Sequence, residues 1–322
     1  MTELLARPSV LTRSRISGSG IDPRLVVLLG AAATSLTGTL IKLSGVSPAT
    51  SSFFRCAIAA PILGVLAWRE FRRHGGIAPK VLAMQLAGGA LLGADFALWA
   101  HSISMIGAGI STVVVNIQVI VVPILAWLVF RETVPLRFVI AVPFLFGGVA
   151  LAGGLLGGTG SGDQLLLGTA LSLAAGTAYG GYLFLSGRAG AAHRASSQVF
   201  VATVAGGVIG TAVGSLWGTI DLTPGWTAFG WLTALALTGQ VIGWVLVGSA
   251  LPRLRAEVGA TLLLAQPVIA LAVAMIVLGE RPDPTQLAGC AVVVAAVWAV
   301  THRPPAPRRH SATPTTDPVQ NP

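Results

Sequence analysis

Gln118–Glu132, QVIVVPILAWLVFRE, and Gln266–Glu280, QPVIALAVAMIVLGE, decide how this chain is read. In each, a glutamine opens an apolar run and a glutamate closes it fourteen residues later. A proline interrupts both runs, Pro123 in the first and Pro267 in the second. The copies lie 148 residues apart, and their apolar register continues into Pro135–Leu151 and Asp283–Ala299. One matched pair could be chance, but a matched pair inside two hydrophobic segments with similar flanks points to a duplicated unit.

Composition says what surrounds that unit. Of 322 residues 54% are apolar and only 10% charged, with a mean hydropathy of +0.81, so most of the surface must face lipid rather than water. The net charge of +9 and pI of 11.2 would fit nucleic-acid binding. The basic residues, however, sit in short loops between apolar runs and in the tails, which excludes a nucleic-acid face. Cys56 and Cys290 each lie within a hydrophobic segment, giving no disulfide framework and no metal-ligand spacing. The five histidines are scattered. No metal site and no cofactor are expected.

Taken in order, residues 1–23 form a polar, basic leader that reads as disordered. The run Arg24–Leu43 is long enough, at about 20 residues, to span ~30 Å of hydrocarbon, and is read as an uncleaved span rather than a signal core. Ala49–Trp68, Val81–Ser102, Ala108–Phe130 and Leu136–Leu156 complete five spans. Leu165–Ser186, Gln198–Trp217, Trp226–Ser249, Val258–Leu278 and Thr285–Thr301 make five more. The expected fold is therefore an all-α integral membrane protein of ten transmembrane helices in two five-helix units, 24–157 and 165–301. A linker at 158–164, overlapping the glycine-rich stretch Gly153–Asp163, joins them. Residues 302–322 read as a disordered tail with six prolines.

With the N-terminus placed in the cytoplasm, 17 of the 20 lysines and arginines fall on the cytoplasmic side, all but Lys42, Arg55 and Arg281. Both termini are thus expected inside. Five spans is an odd number, so the second unit enters the membrane upside down. Secondary transporters use inverted duplications of this kind to enclose a midplane site and expose it alternately to either face.

The chain resembles the EamA-type members of the drug/metabolite transporter superfamily. The second copy, Gln266-Pro267 through Leu278-Gly279-Glu280-Arg281, matches that family's pattern of proline, apolar run and Gly-Glu. The first copy departs from it, with Val119 at the proline position, Pro123 one turn later and Arg131 before Glu132. Ser52-Phe53-Phe54-Arg55-Cys56-Ala57 matches the arginine early in the family's second helix, which has no counterpart around Val199–Thr203. The resemblance covers residues 24–301. It implies two inverted five-helix repeats and movement of small organic molecules, often amino acids, often outward and coupled to protons, across the cytoplasmic membrane.

Charges inside spans are the strongest local signal, because each costs about 2.5–3.5 kcal/mol on insertion scales. Arg55 and Asp95 lie at similar depths, ~9 and ~10 Å from the outer ends of consecutive antiparallel helices at ~1.5 Å per residue. They are expected to face one another, either as a substrate and proton site or as a static tether. In the first case Arg55 holds a carboxylate, and Asp95 holds an amine or the coupling proton. Asn116, Gln118 and Gln266 must face the bundle interior, where amides find partners. With the helix-breaking prolines Pro123 and Pro267 they mark a cavity. Trp99, Trp127, Trp231 and Trp244 are candidates to line it. Glu132 and Glu280, at equivalent opposite ends of the repeat, are interfacial anchors or gates. Lys42 and Arg281 are expected to snorkel to water.

Among function classes, an intramembrane enzyme needs a nucleophile, a metal cluster or a carboxylate set. The chain has no His-Glu-x-x-His, no Gly-x-Ser-x-Gly and no ATP-binding Gly-x-x-x-x-Gly-Lys, and no catalytic residue is assigned. A non-transporting scaffold or receptor stays open, although it needs no paired broken helices. The reading is a permease of the bacterial cytoplasmic membrane, exporting a small amino-acid-like metabolite with the proton gradient. Its partners are the substrate and membrane lipid, and a homodimer is compatible with it.

Overall fold

The structure, a computed structural model, describes residues 22–131, 136–153, 162–189, 195–250, 253–254, 258 and 262–301. Most of the leader, the tail, most of the linker and Glu132 lie outside the described residues. Among those described, the secondary structure is helical: α1 (Pro23–Ser35), α2 (Thr37–Ser44), α3 (Pro48–His74), α4 (Pro79–Ile106), α5 (Ala108–Val115), α6 (Gln118–Phe130) and α7 (Leu136–Ala152). There follow α8 (Gly162–Ala189), α9 (Ala195–Gly214), α10 (Gly225–Leu235), a π-helical segment (Ala236–Gly243), α11 (Trp244–Ala250), α12 (Ala265–Val277) and α13 (Pro284–Thr301). Six helices, counting α1–α2, α5–α6 and α10–α11 as continuous, are long and apolar enough to cross a membrane. The apolar stretches of α7, α12 and α13 are shorter.

Several helix starts are written locally. Pro23, Pro48, Pro79 and Pro284 each occupy the first helical position, where the missing N–H costs nothing. Asp22 Oδ1 accepts from Arg24 N at 2.9 Å, and Ser47 Oγ accepts from Thr50 N at 3.2 Å. Asp283 and Gln286 form a reciprocal capping box on α13: Asp283 Oδ1 accepts from Gln286 N at 2.9 Å, and Gln286 Oε1 accepts from Asp283 N at 3.0 Å.

Two kinds of helix build the molecule. The first runs unbroken: α3, α4, α8 and α9 have 27, 28, 28 and 20 residues. Glycines let them touch backbone to backbone. A Cβ on Gly93 of α4 would sit 2.7 Å from Gly210 N, and one on Gly214 of α9 would sit 2.6 Å from Ala49 N of α3. The stripe Gly206, Gly210, Gly214 therefore packs α9 into the groove between α3 and α4.

The second kind is interrupted. α1 gives way to α2 at Leu36 (ψ −17°), α5 to α6 at Asn116 and Ile117 (ψ −3° and −23°), and α12 begins after Leu264 (ψ −14°). These dihedrals lie nearer 3₁₀ than α geometry. At the second interruption Asn116 N and Ile117 N reach back only three residues, to Val113 O and Val114 O, both at 3.1 Å. The interruptions thus fall ahead of Pro123 and Pro267 rather than at them, a correction to the expected helix breaks. Pro267 is the third residue of α12, in the first turn, where an N–H has no intrahelical partner to lose. Pro123 lies inside a continuous α6.

Candidate functional site

The interruptions surround a cavity of about 560 Å³. Arg55, Asp95, Trp99, Asn116, Gln118, Trp244 and Gln266 all line it, together with Thr34, Thr37, Phe96, Thr112, Tyr179 and Tyr182. The unbroken helices supply the charges and most of the rings. The interrupted ones supply amides and hydroxyls.

Arg55 and Asp95 are each only 6% exposed. They share the cavity but do not form the direct pair the sequence led us to expect. Among the described residues the ion pair within 4.0 Å is Lys42–Glu280. Arg55 Nε instead donates to Gln240 Oε1 at 3.0 Å, and its guanidinium carbon lies 3.9 Å from the centroid of the Phe96 ring. Gln240, fully buried in the π-helical segment, passes the contact on by donating from Nε2 to Thr203 Oγ1 at 3.0 Å. The chain Arg55–Gln240–Thr203 holds the guanidinium by its stem side, and none of its hydrogen bonds uses the terminal nitrogens. The Asp95 Oδ1 atom is buried with no hydrogen-bond partner. Trp99 Nε1 and Gln118 Oε1 are in the same state. A buried polar group left unpaired costs about 1–3 kcal/mol, so these three atoms on the cavity wall have hydrogen-bonding capacity in reserve: two acceptors, on Asp95 and Gln118, and one donor, on Trp99.

The other amides are engaged. Gln266 Nε2 donates to Thr34 Oγ1 at 2.7 Å, and Ser35 Oγ donates to Gln266 O at 3.0 Å, tying α12 to α1. Asn116 Nδ2 donates to Thr112 O, one turn back on α5, at 2.9 Å. Trp127 and Trp231 do not line the cavity. They point outward, 44% and 37% exposed, because their helix faces are turned away from the bundle.

Glu280 is more than an interfacial side chain. Its Oε1 accepts from Lys42 Nζ at 2.9 Å and from Ala108 N at 2.7 Å, while Oε2 accepts from Gly109 N at 3.1 Å. Lys42 therefore does not snorkel freely, as the sequence alone led us to expect; Arg281 is exposed. A second carboxylate makes a similar contact. Glu70, near the end of α3, accepts from Ser196 N (2.9 Å), Ser197 N (2.8 Å) and Ser197 Oγ (2.9 Å) in the first turn of α9.

Gln240, Thr203 and Glu70 were missed in the sequence. The first had a readable signal, as an amide within the apolar run Trp226–Ser249 that must find a partner by the rule applied to Gln118. Thr203 and Glu70 had none, because their partners come from distant helices.

Two tandem matches to the EamA-like transporter family cover residues 24–154 and 166–301. A solved crystal structure superposes with a TM-score of 0.60 at 15% identity, covering 87% of this chain and 98% of that one, which establishes likeness of fold. A comparison with curated proteins finds no match. With two family matches spanning most of its length and six helices long and apolar enough to cross a membrane, the chain belongs to the EamA-like transporter family and is a multi-pass integral membrane protein.

Proposed function

We propose that this protein is a secondary active exporter of a small zwitterionic, amino-acid-like metabolite, with ten spans in two inverted repeats, 24–157 and 165–301. Both termini face the cytoplasm of a bacterial cell. The observation that carries the reading is the cavity, which is lined both by an Arg55 guanidinium that hydrogen-bonds through Nε and by an Asp95 whose Oδ1 has no hydrogen-bond partner. A substrate carboxylate fits the planar donors of Arg55. Its ammonium fits Asp95, and its side chain lies against Phe96, Trp99, Tyr179 and Trp244. Support for a symmetric relation between the halves comes from the packing, in which α7 meets its own counterpart α13 and α5 of the fourth span meets α12 of the ninth.

Coupling follows from competition at one carboxylate. In a site screened from water, Asp95 needs either a proton or a cation beside it. Substrate and proton then displace one another, and inward proton movement drives substrate out. Flux into proteoliposomes under an imposed pH gradient tests this. Substrate uptake that dissipates the gradient, and is lost in Asp95→Asn, is the expected result. Undiminished coupled flux in Asp95→Asn would remove Asp95 from the mechanism.

A further inference from the structure

Glu280 joins three segments that share a property: each is separated from the body of the molecule by an interruption at cavity level. Lys42 lies near the end of α2, beyond Leu36. Ala108 and Gly109 begin α5, ahead of Asn116–Ile117. Glu280 itself follows α12, beyond Leu264. α2 and α5 are eight residues long and carry Thr37 and Thr112 on the cavity wall. The contact also crosses the halves, with two parties from the first and one from the second.

We propose that Glu280 is a latch that opens and recloses during transport, governing entry to the cavity from the Lys42 end. This deepens the transporter reading and rests on it. Every bond of the latch converges on one carboxylate at the tip of one side chain, so a single movement releases all three. Lys42 is 40% exposed and Glu280 10%, which puts the latch at the edge of water, where freed groups are resolvated rather than stranded. Each segment has a glycine of positive φ at its outer limit, Gly45 (64°) after α2, Gly107 (85°) before α5 and Gly279 (66°) after α12. Nothing lies within 4 Å of a Cβ on Gly45 or Gly279, so their role is conformational. A Cβ on Gly107 would meet the Glu280 carboxylate at 2.9 Å, so that glycine also leaves room for the latch to close. α5 has no side-chain cap of its own, and Glu280 is what satisfies its first turn.

The test is labelling of a reporter cysteine in the full-length protein. In a Cys56→Ser, Cys290→Ala background, Thr112→Cys is exposed to a membrane-impermeant maleimide applied to each face of oriented proteoliposomes in turn. From the Lys42 face we expect slow labelling in the parent, labelling at least about 10-fold faster with Glu280→Gln, the size of one lost charge-assisted bond, and an intermediate rate with Lys42→Met. Glu70→Gln should change nothing. If Glu280→Gln does not fold, Lys42→Met carries the test, because it removes one bond and leaves the helix cap in place. Rates within twofold of the parent in every folded latch variant would overturn the proposal. Faster labelling in protein that moves no compound would keep the latch and discard the substrate reading.

Discussion

Glu280 and Glu70 use the same chemistry at opposite ends of the molecule. Each carboxylate accepts two consecutive backbone N–H groups in the first turn of a helix from the other half of the chain, with an additional side-chain donor. They are separated along α3, which runs from the Lys42 end to Glu70 over ~33 Å at ~1.5 Å per residue. What differs is what they join. Glu70 fastens α3 to α9, two unbroken helices already in contact along their length through Gly207, Gly210 and Gly214. Glu280 joins segments that are each interrupted below it, at Leu36, Asn116–Ile117 and Leu264. In the proposed gating the same contact is a staple in one place and a latch in the other, and the difference lies in the helices rather than in the carboxylates.

The comparison breaks most severely if the rigid side is not rigid. Gly93→Leu forces a side chain into the backbone of Gly206 and Gly210, and overpacking there should cost on the order of 3 kcal/mol. We expect loss of monodisperse protein in fluorescence-detected gel filtration, whereas Gly147→Leu, with nothing within 4 Å of its Cβ, should elute normally. The cavity between the two sides comes next. Arg55→Ala should weaken substrate binding by about 10- to 100-fold, the size of a lost hydrogen bond to a charged group, measured by isothermal titration in detergent. Gln240→Leu should weaken it less, since the guanidinium stays but loses its Gln240–Thr203 support.

The carboxylates themselves give the sharpest contrast. Glu280→Gln should change cavity accessibility with little change in melting temperature, whereas Glu70→Gln should lower stability by about 1 kcal/mol and leave accessibility alone. Equal effects of the two on both readouts would erase the distinction between latch and staple. The smallest effect belongs to Asp283 at the start of α13. The hydroxyl of Thr285 and the backbone N–H of Gln286 hold its carboxyl below the ordinary aspartate value of 3.8. A depressed value means stability that is present above about pH 4 and is lost as pH falls through the lower, folded-state value. Melting temperature followed from pH 6 to pH 3 should fall slightly less in Asp283→Ala than in the parent, because the variant has no cap to lose.

Much of this arrangement could be read from residues alone. Polar groups in an apolar run must turn inward, and that rule picked five residues, Arg55, Asp95, Asn116, Gln118 and Gln266, that the structure gathers around one cavity, whereas of the four candidate tryptophans only Trp99 and Trp244 reach it. Local capping was equally legible, since Asp283-Pro284-Thr285-Gln286 carries its helix start within four residues. Pairing across helices was not. Arg55 and Asp95 have matching depths, but depth says nothing about rotation about the helix axis. The π-helical segment turned Gln240 toward Arg55. The prolines were similarly ambiguous, because the cost of a missing N–H depends on where a helix starts.

By itself, then, the sequence determined what belongs in lipid, which side chains must avoid it, where several helices begin and that the unit is doubled. Each of these follows from the properties of a residue and its near neighbours. The tertiary structure decided which donor meets which acceptor, which helices are interrupted and which run unbroken, and so what each of two similar carboxylates joins. Those outcomes depend on helix rotation and on contacts between residues far apart in the chain, such as Glu280 with Lys42, and no local pattern encodes them.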